Sequence, residues 1–259
     1  MIASSIWGGA RHAAALRSSL ALACAPVASM GGNTTLRRCF ATADSPVPDE
    51  LVVETRKNGV RVFSLARPKA NALGRVLLNQ LRAAIEDAAH DTEARCVILR
   101  STCPGIFCAG ADLKERATMN SVEVERFVSN LRSTFTMLSE LPVPTIAVID
   151  GAALGGGLEL ALCCDIRLAG SGEGSKTVVG LPETGLAIIP GAGGTQRLPR
   201  VVGLSIAKRL IFTGERLDAD AAAAIGLVEA VPGALPDPAT SLDTPAFEAA
   251  LSLAETIAR

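Results

Sequence analysis

T-I-A-V-I-D-G-A-A-L-G-G-G-L-E-L-A-L-C-C-D, from Thr145 to Asp165, is the stretch whose reading decides the fold. Thr145 to Ile149 is a short β-branched apolar run, as in a buried strand. Asp150-Gly151 punctuates it, Gly155, Gly156 and Gly157 follow, and Leu158 to Ile166 is again apolar. The natural expectation is a strand, a glycine turn and a helix start. Three adjacent glycines suit neither helix nor strand, so bare backbone is needed there. The unpaired N–H groups at a helix start form a positively polarised pocket, and Glu159 falls in the first turn beside it. Backbone donors next to a carboxylate suit a site where an oxyanion develops while a proton moves. A glycine turn packed tightly on a neighbouring strand is the competing account, and this stretch alone leaves both open.

Upstream, Leu51 to Thr55 and Val60 to Leu65 read as strands around a Lys57-Asn58-Gly59 hairpin turn. Arg67 to Leu73 is a loop into a helix from Val76 to Ala89, with apolar residues at helical spacing. Cys96 to Arg100 is another strand, and Ser101 to Lys114 is a second small-residue turn after a buried strand. Glu123 to Leu138 is an amphipathic helix. Downstream, Arg167 to Ala169 is a strand end and Gly170 to Lys176 a flexible Gly/Ser segment. Helices are expected over Val201 to Phe212, Ala219 to Ile225 and Phe247 to Ala258.

The 259 residues, 49% hydrophobic, suffice for one sizeable core. Residues 1–43 hold Arg11, Arg17, Arg37 and Arg38 but no acid, with five serines and many alanines. That is the composition of an amphipathic transit peptide, and Arg38-Cys39-Phe40-Ala41 resembles a mitochondrial processing site. The division expected is a transit peptide over 1–40, a linker over 41–50 and one domain over 51–259. Past residue 43 the chain carries 21 basic and 26 acidic residues, which argues against a nucleic-acid partner. Seven cysteines show no paired C-x-x-C spacing and read as reduced core thiols. His90 is the only histidine beyond the presequence, at the end of an amphipathic helix. Chemistry must therefore rest on carboxylates, lysines, cysteines or backbone. No span signals a membrane partner.

Four segments together resemble the crotonase (enoyl-CoA hydratase/isomerase) superfamily. They are Gly105 to Arg116 (G-I-F-C-A-G-A-D-L-K-E-R), Ala153 to Glu159, Gly180 to Glu183, and Ile189 to Arg197. The resemblance runs over roughly residues 51 to 230 and is nearest the mitochondrial methylglutaconyl-CoA hydratase branch. It implies an α/β fold, a spiral of repeated ββα units, assembled as a homotrimer or hexamer. It implies that Ala111 and Gly156 supply the two N–H groups of an oxyanion hole, and that Glu159 and Glu183 are the catalytic carboxylates. Ala109, Ala111, Asp112, Leu113, Lys114 and Gly156 match positions lining the acyl-CoA site. Lys69 matches a loop position near the nucleotide. No cofactor or metal is implied, coenzyme A being part of the substrate.

The reaction implied is hydration of a 2-enoyl-CoA, with 3-methylglutaconyl-CoA as one candidate, in fatty-acid or branched-chain amino-acid catabolism in the mitochondrial matrix. Isomerases of the family typically keep one of the two glutamates, so an isomerase is the alternative, together with an RNA-binding or non-catalytic protein. Against RNA binding, the helix region from Val76 to Arg95 sets Arg82 and Arg95 against Glu86, Asp87, Asp91 and Glu93. Three departures from the family pattern are expected to matter: a loop over Arg67 to Leu73 one residue short, about five extra residues between Ala169 and Gly180, and truncated C-terminal helices.

Overall fold

The computed structural model describes residues 36–38, 49–234 and 242–259. The expected transit peptide and linker therefore fall almost entirely outside the described residues. Three strands open the described chain: β1 (Leu36–Arg38), β2 (Leu51–Thr55) and β3 (Val60–Leu65). The β2–β3 turn is a 3-10 turn whose Asn58 and Gly59 take φ of 61° and 75°, residue types that tolerate the left-handed region. Then come α1 (Arg75–His90), β4 (Cys96–Ser101), β5 (Gly105–Cys108), α2 (Leu113–Arg116) and α3 (Ser121–Ser139). The middle of the chain supplies β6 (Thr145–Ile149), β7 (Gly151–Leu154), α4 (Gly156–Ala161), β8 (Ile166–Ser171) and β9 (Val178–Gly180). A 3-10 turn over Pro182–Leu186 leads to α5 (Gly194–Val202) and α6 (Leu204–Thr213). The remaining elements are β10 (Arg216–Asp218), α7 (Ala219–Ala224), β11 (Glu229–Pro232) and α8 (Pro245–Ile257).

Seven strands form one sheet in the order β1-β2-β3-β4-β6-β8-β11, and four form a second in the order β10-β9-β7-β5. The pairs from β3 to β11 in the first sheet are parallel, as are β5–β7 and β7–β9 in the second. Three successive strand pairs, β4–β5, β6–β7 and β8–β9, each place their first strand in the large sheet and their second in the small one. The chain beyond each second strand turns toward one common point, and those three turns carry the site.

Period-two alternation divides the large sheet between two cores. Phe63, Leu65, Val97, Leu99, Ala147 and Ile149 face the main cluster. Val60, Val62, Ile98, Ile146 and Val148 face the opposite side, where Phe247, Ala250 and Ala254 of α8 cover them. Arg100 lies over the Phe247 ring, 3.6 Å from its centre, and pairs with Asp243 at 3.2 Å. β6 is buried along its whole length, as a parallel strand with both faces covered must be.

Several expectations are corrected. The helix expected to start after the glycine turn is short, α4 ending at Ala161 within the apolar run Leu158 to Ile166. Its apolar continuation, Cys163 and Cys164, is buried because the chain turns back into β8. The helix expected over Val201 to Phe212 is two helices broken at Gly203, φ 81°, a conformation that ends a right-handed helix. The turn expected over Ser101 to Lys114 contains β5, and β7, β10 and β11 were not anticipated. Within the Gly/Ser segment Ser175 Oγ donates to Gly170 O at 2.7 Å, and just past it Thr177 Oγ1 donates to Ile149 O at 3.0 Å.

Candidate active site

The glycine turn serves both purposes that its sequence left open, at different residues. Gly157 has no room for a side chain, since a Cβ there would overlap the Cys108 carbonyl of β5. Gly156 instead presents its N–H to a cleft. A Cβ built on Gly156 would lie 3.5 Å from the Ala111 nitrogen. An amide nitrogen sits about 2.5 Å from its own Cβ, so the two nitrogens are at most about 6 Å apart. One oxygen between them can accept from both at ordinary hydrogen-bond lengths. Among the described residues neither amide donates to another backbone group. Ala111 is fixed by a parallel bridge to Leu73, through Leu73 N–H to Gly110 O at 2.8 Å and Asp112 N–H to Leu73 O at 3.1 Å.

Glu159 follows from the same turn, one helical turn past Gly155, and is 2% exposed. Its Oε1 accepts from the Ala192 and Gly194 amides at 2.8 and 2.7 Å. That donor turn is itself gripped: Arg197 donates to Ala192 O at 2.9 Å, and Arg132 donates to Gly191 O through Nε and Nη2 at 3.2 and 3.1 Å. Burial raises the Glu159 carboxyl above its ordinary range, although the two amides pull the other way. Glu183 stands on the 3-10 turn after β9, 8% exposed, and its Oε2 is buried without a hydrogen-bond partner. Burial, reinforced by the negative charge of Glu159, pushes it up to about 7. Gly155 adopts φ 53°, and a Cβ there would come within 2.9 Å of Glu183 Oε1. Two buried carboxyls with raised pKa values in one cleft can pass protons near neutral pH.

The cleft holds about 1020 Å³. Ala109, Ala111, Leu113, Gly156, Glu159 and Glu183 all line it. Asp112, Lys114 and Lys69 do not. Asp112 instead caps α2, accepting from Lys114 N–H at 3.0 Å, Glu115 N–H at 3.1 Å and Arg67 at 2.6 Å. Those contacts hold its carboxyl below the usual range, the Glu115 amide first. Lys69 and Lys114 are exposed. Sequence reasoning missed the wall that α3 supplies, Phe127, Val128, Leu131 and Arg132, and the Leu186–Pro190 loop facing it. The signal was the α3 apolar face, which serves core and cleft together. Among the described residues no cysteine lines the cleft, burial pushes Cys108 and Cys163 up to about 12, and no group of His, Cys, Asp and Glu could hold a metal.

Two mostly parallel sheets, linked by strand pairs that cross from one to the other and feeding paired amides and two carboxyls into one cleft, define a crotonase-type acyl-CoA fold. The chain belongs to the enoyl-CoA hydratase/isomerase family, whose model matches residues 55–258. It is 50% identical over 205 residues to the probable enoyl-CoA hydratase 2, mitochondrial, of Arabidopsis thaliana, covering 77% of this chain and 67% of that protein. It is 50% identical over 208 residues to the methylglutaconyl-CoA hydratase, mitochondrial, of Mus musculus, covering 79% of this chain and 65% of that protein. The chain thus spans about two thirds of the length of these relatives. Among solved structures, the enoyl-CoA hydratase of Bacillus anthracis superposes with a TM-score of 0.73 at 44% identity, covering 81% of this chain and 76% of that one.

Proposed function

We propose that this chain adds water across the 2,3-double bond of an enoyl-CoA thioester. The observation that carries the reading is the pair of buried glutamates, Glu159 and Glu183, beside the two unengaged amides of Ala111 and Gly156. The thioester oxygen accepts from both amides, which draws electron density from C3 and stabilises the enolate that forms. One such donor is worth on the order of 3 kcal/mol in the transition state. Glu159, anchored through Oε1, takes a proton from water as its oxygen attacks C3. Glu183, partly protonated near neutral pH, gives a proton to C2. The cycle closes when the proton held by Glu159 returns to Glu183. The mouse relative's name makes 3-methylglutaconyl-CoA the first substrate to try, and the relatives named mitochondrial support import into that organelle. A homotrimer or hexamer is the assembly proposed.

The test is loss of the conjugated enoyl-thioester absorbance on hydration of 2-butenoyl-CoA and 3-methylglutaconyl-CoA. Glu159→Gln and Glu183→Gln should each lower kcat by about 10²–10⁴ with little change in KM. Because both residues serve one water, the double variant should lose far less than the product of the two. Turnover that survives Glu183→Gln unchanged would overturn the two-carboxylate mechanism.

A further inference from the structure

The direction of the Ala111 N–H is set by the peptide unit it shares with Gly110. In a trans peptide the N–H points opposite to the preceding carbonyl. Gly110 O accepts from Leu73 N–H at 2.8 Å, so the Ala111 N–H points away from the Leu73 backbone. The next peptide unit is fixed in the same way, with Asp112 N–H donating to Leu73 O at 3.1 Å. Both bonds belong to one isolated bridge between Leu73 and Ala111, with no longer ladder to hold it. The loop that delivers Leu73 is strained: Lys69 and Asn71 take φ of 79° and 47°, which persists only where surrounding contacts over-determine the backbone.

One charged group ties the two sides of that bridge together. Arg67, at the head of the loop, donates through Nη1 to Ala72 O at 2.5 Å and through Nη2 to Asp112 Oδ2 at 2.6 Å. Ala72 and Asp112 are the sequence neighbours of Leu73 and Ala111, so the guanidinium spans the bridge beside its backbone bonds. Its Nε faces Glu50 Oε1 at 3.2 Å, which anchors it to the segment entering β2. Asp112 Oδ1 meanwhile accepts the Lys114 and Glu115 amides at 3.0 and 3.1 Å. None of Arg67, Glu50 and Asp112 lines the cleft. We infer that Arg67, acting through Asp112 and Ala72, is a positioning residue for the oxyanion-binding amide of Ala111. The inference rests on the oxyanion site described above. A rigid fork of donors suits the task, because it fixes two acceptors at one separation and angle.

Asp112→Asn isolates the tie. An asparagine can still cap α2 through its amide oxygen, but its NH2 group then meets Arg67, donor against donor. Arg67→Lys keeps the charge and loses the fork. Arg61→Met is the control: Arg61 makes a comparable pair of ion pairs, with Asp87 at 2.5 Å and Asp91 at 3.2 Å, and lies outside the cleft walls. The probe is butanoyl-CoA carrying carbon-13 at the thioester carbonyl, saturated and so unable to be hydrated. Its carbonyl stretch, read by isotope-edited infrared spectroscopy on the full chain, falls in frequency as hydrogen bonds draw charge onto oxygen. The wild type should lower that stretch relative to its value in water. Asp112→Asn should lose most of the shift and cut kcat for 2-butenoyl-CoA by about tenfold to a hundredfold with little change in KM. Arg67→Lys should lose less of the shift, and Arg61→Met should keep all of it even where its melting temperature falls. A full shift in Asp112→Asn overturns the inference, whatever its kcat. So does an equal loss in Arg61→Met, which would mark a general effect of weakening the fold. A wild-type carbonyl that is not shifted at all overturns the oxyanion reading itself, and the inference with it.

Discussion

Glu183→Gln should stabilise the folded protein at alkaline pH while lowering turnover sharply, and the size of the gain can be worked from the site. The carboxyl is 8% exposed, and its Oε2 has no partner. Burial raises its pKa from 4.5 to about 7. An acid whose native pKa exceeds its unfolded one binds more protons folded than unfolded between the two values. Stability contributed by this group is therefore full below pH 4.5 and declines as pH rises to about 7. The shift of about 2.5 units corresponds to about 3 kcal/mol at 1.36 kcal/mol per unit. Glutamine keeps the shape and never ionises, so it escapes the penalty. The variant and the wild type should unfold at nearly the same urea concentration at pH 4. At pH 8 the variant's midpoint should lie about 1 M higher. A difference that is the same at both pH values would refute the argument, since only titration of Glu183 makes it pH-dependent. Destabilisation at pH 8 would refute it more directly, by showing that the ionised form is held by partners.

Gly155→Ala should lower kcat sharply, because it sets a methyl against Glu183 Oε1 at a φ of 53°; a variant with wild-type kinetics would contradict that crowding. Asn71→Ala should destabilise by about 1–3 kcal/mol, since it removes the buried amide that donates to the Phe107 carbonyl at 3.0 Å and to the Ser101 hydroxyl at 2.7 Å; urea unfolding reads the loss. Phe247→Ala should cost about 3–5 kcal/mol through the cavity left between α8 and the large sheet, with the acyl-CoA cleft unchanged in binding assays because α8 packs on the sheet's other side.

The parts of the fold written in local pattern could be read from sequence, and those depending on partners remote in sequence could not. β6 announces itself as five β-branched or small apolar residues, and α1 and α3 by helical spacing. β7 is Gly-Ala-Ala-Leu and β5 Gly-Ile-Phe-Cys; neither alternates, and each is a strand only because the other lies alongside. The same holds for β10 and β11, which pair with β9 and β8. Cys163 and Cys164 belong to an apolar run that does not show where α4 ends, because burial looks alike in a helix and in a buried turn. At the site, Glu159, Glu183, Ala111 and Gly156 stand in glycine-bearing turns whose backbone demands leave a mark in the sequence. Asp112 lay in the right motif, but its carboxylate goes to the helix cap. Nothing local distinguishes a carboxylate that caps from one that faces substrate.

The grip of Ala192 and Gly194 on a single oxygen of Glu159 makes the two oxygens of that carboxylate unequal. Oε1 is saturated by two amides at 2.8 and 2.7 Å, while Oε2 accepts no hydrogen bond among the described residues. A free carboxylate could present either oxygen by rotating, and so could hold water on either side of a planar alkene. Here rotation would break two charge-assisted bonds inside a buried cleft, so in the proposed hydration water would be presented from one fixed direction. With the thioester oxygen between Ala111 and Gly156 as proposed, the alkene would offer only one of its faces to that water. A β-hydroxyacyl product formed this way would be of one hand.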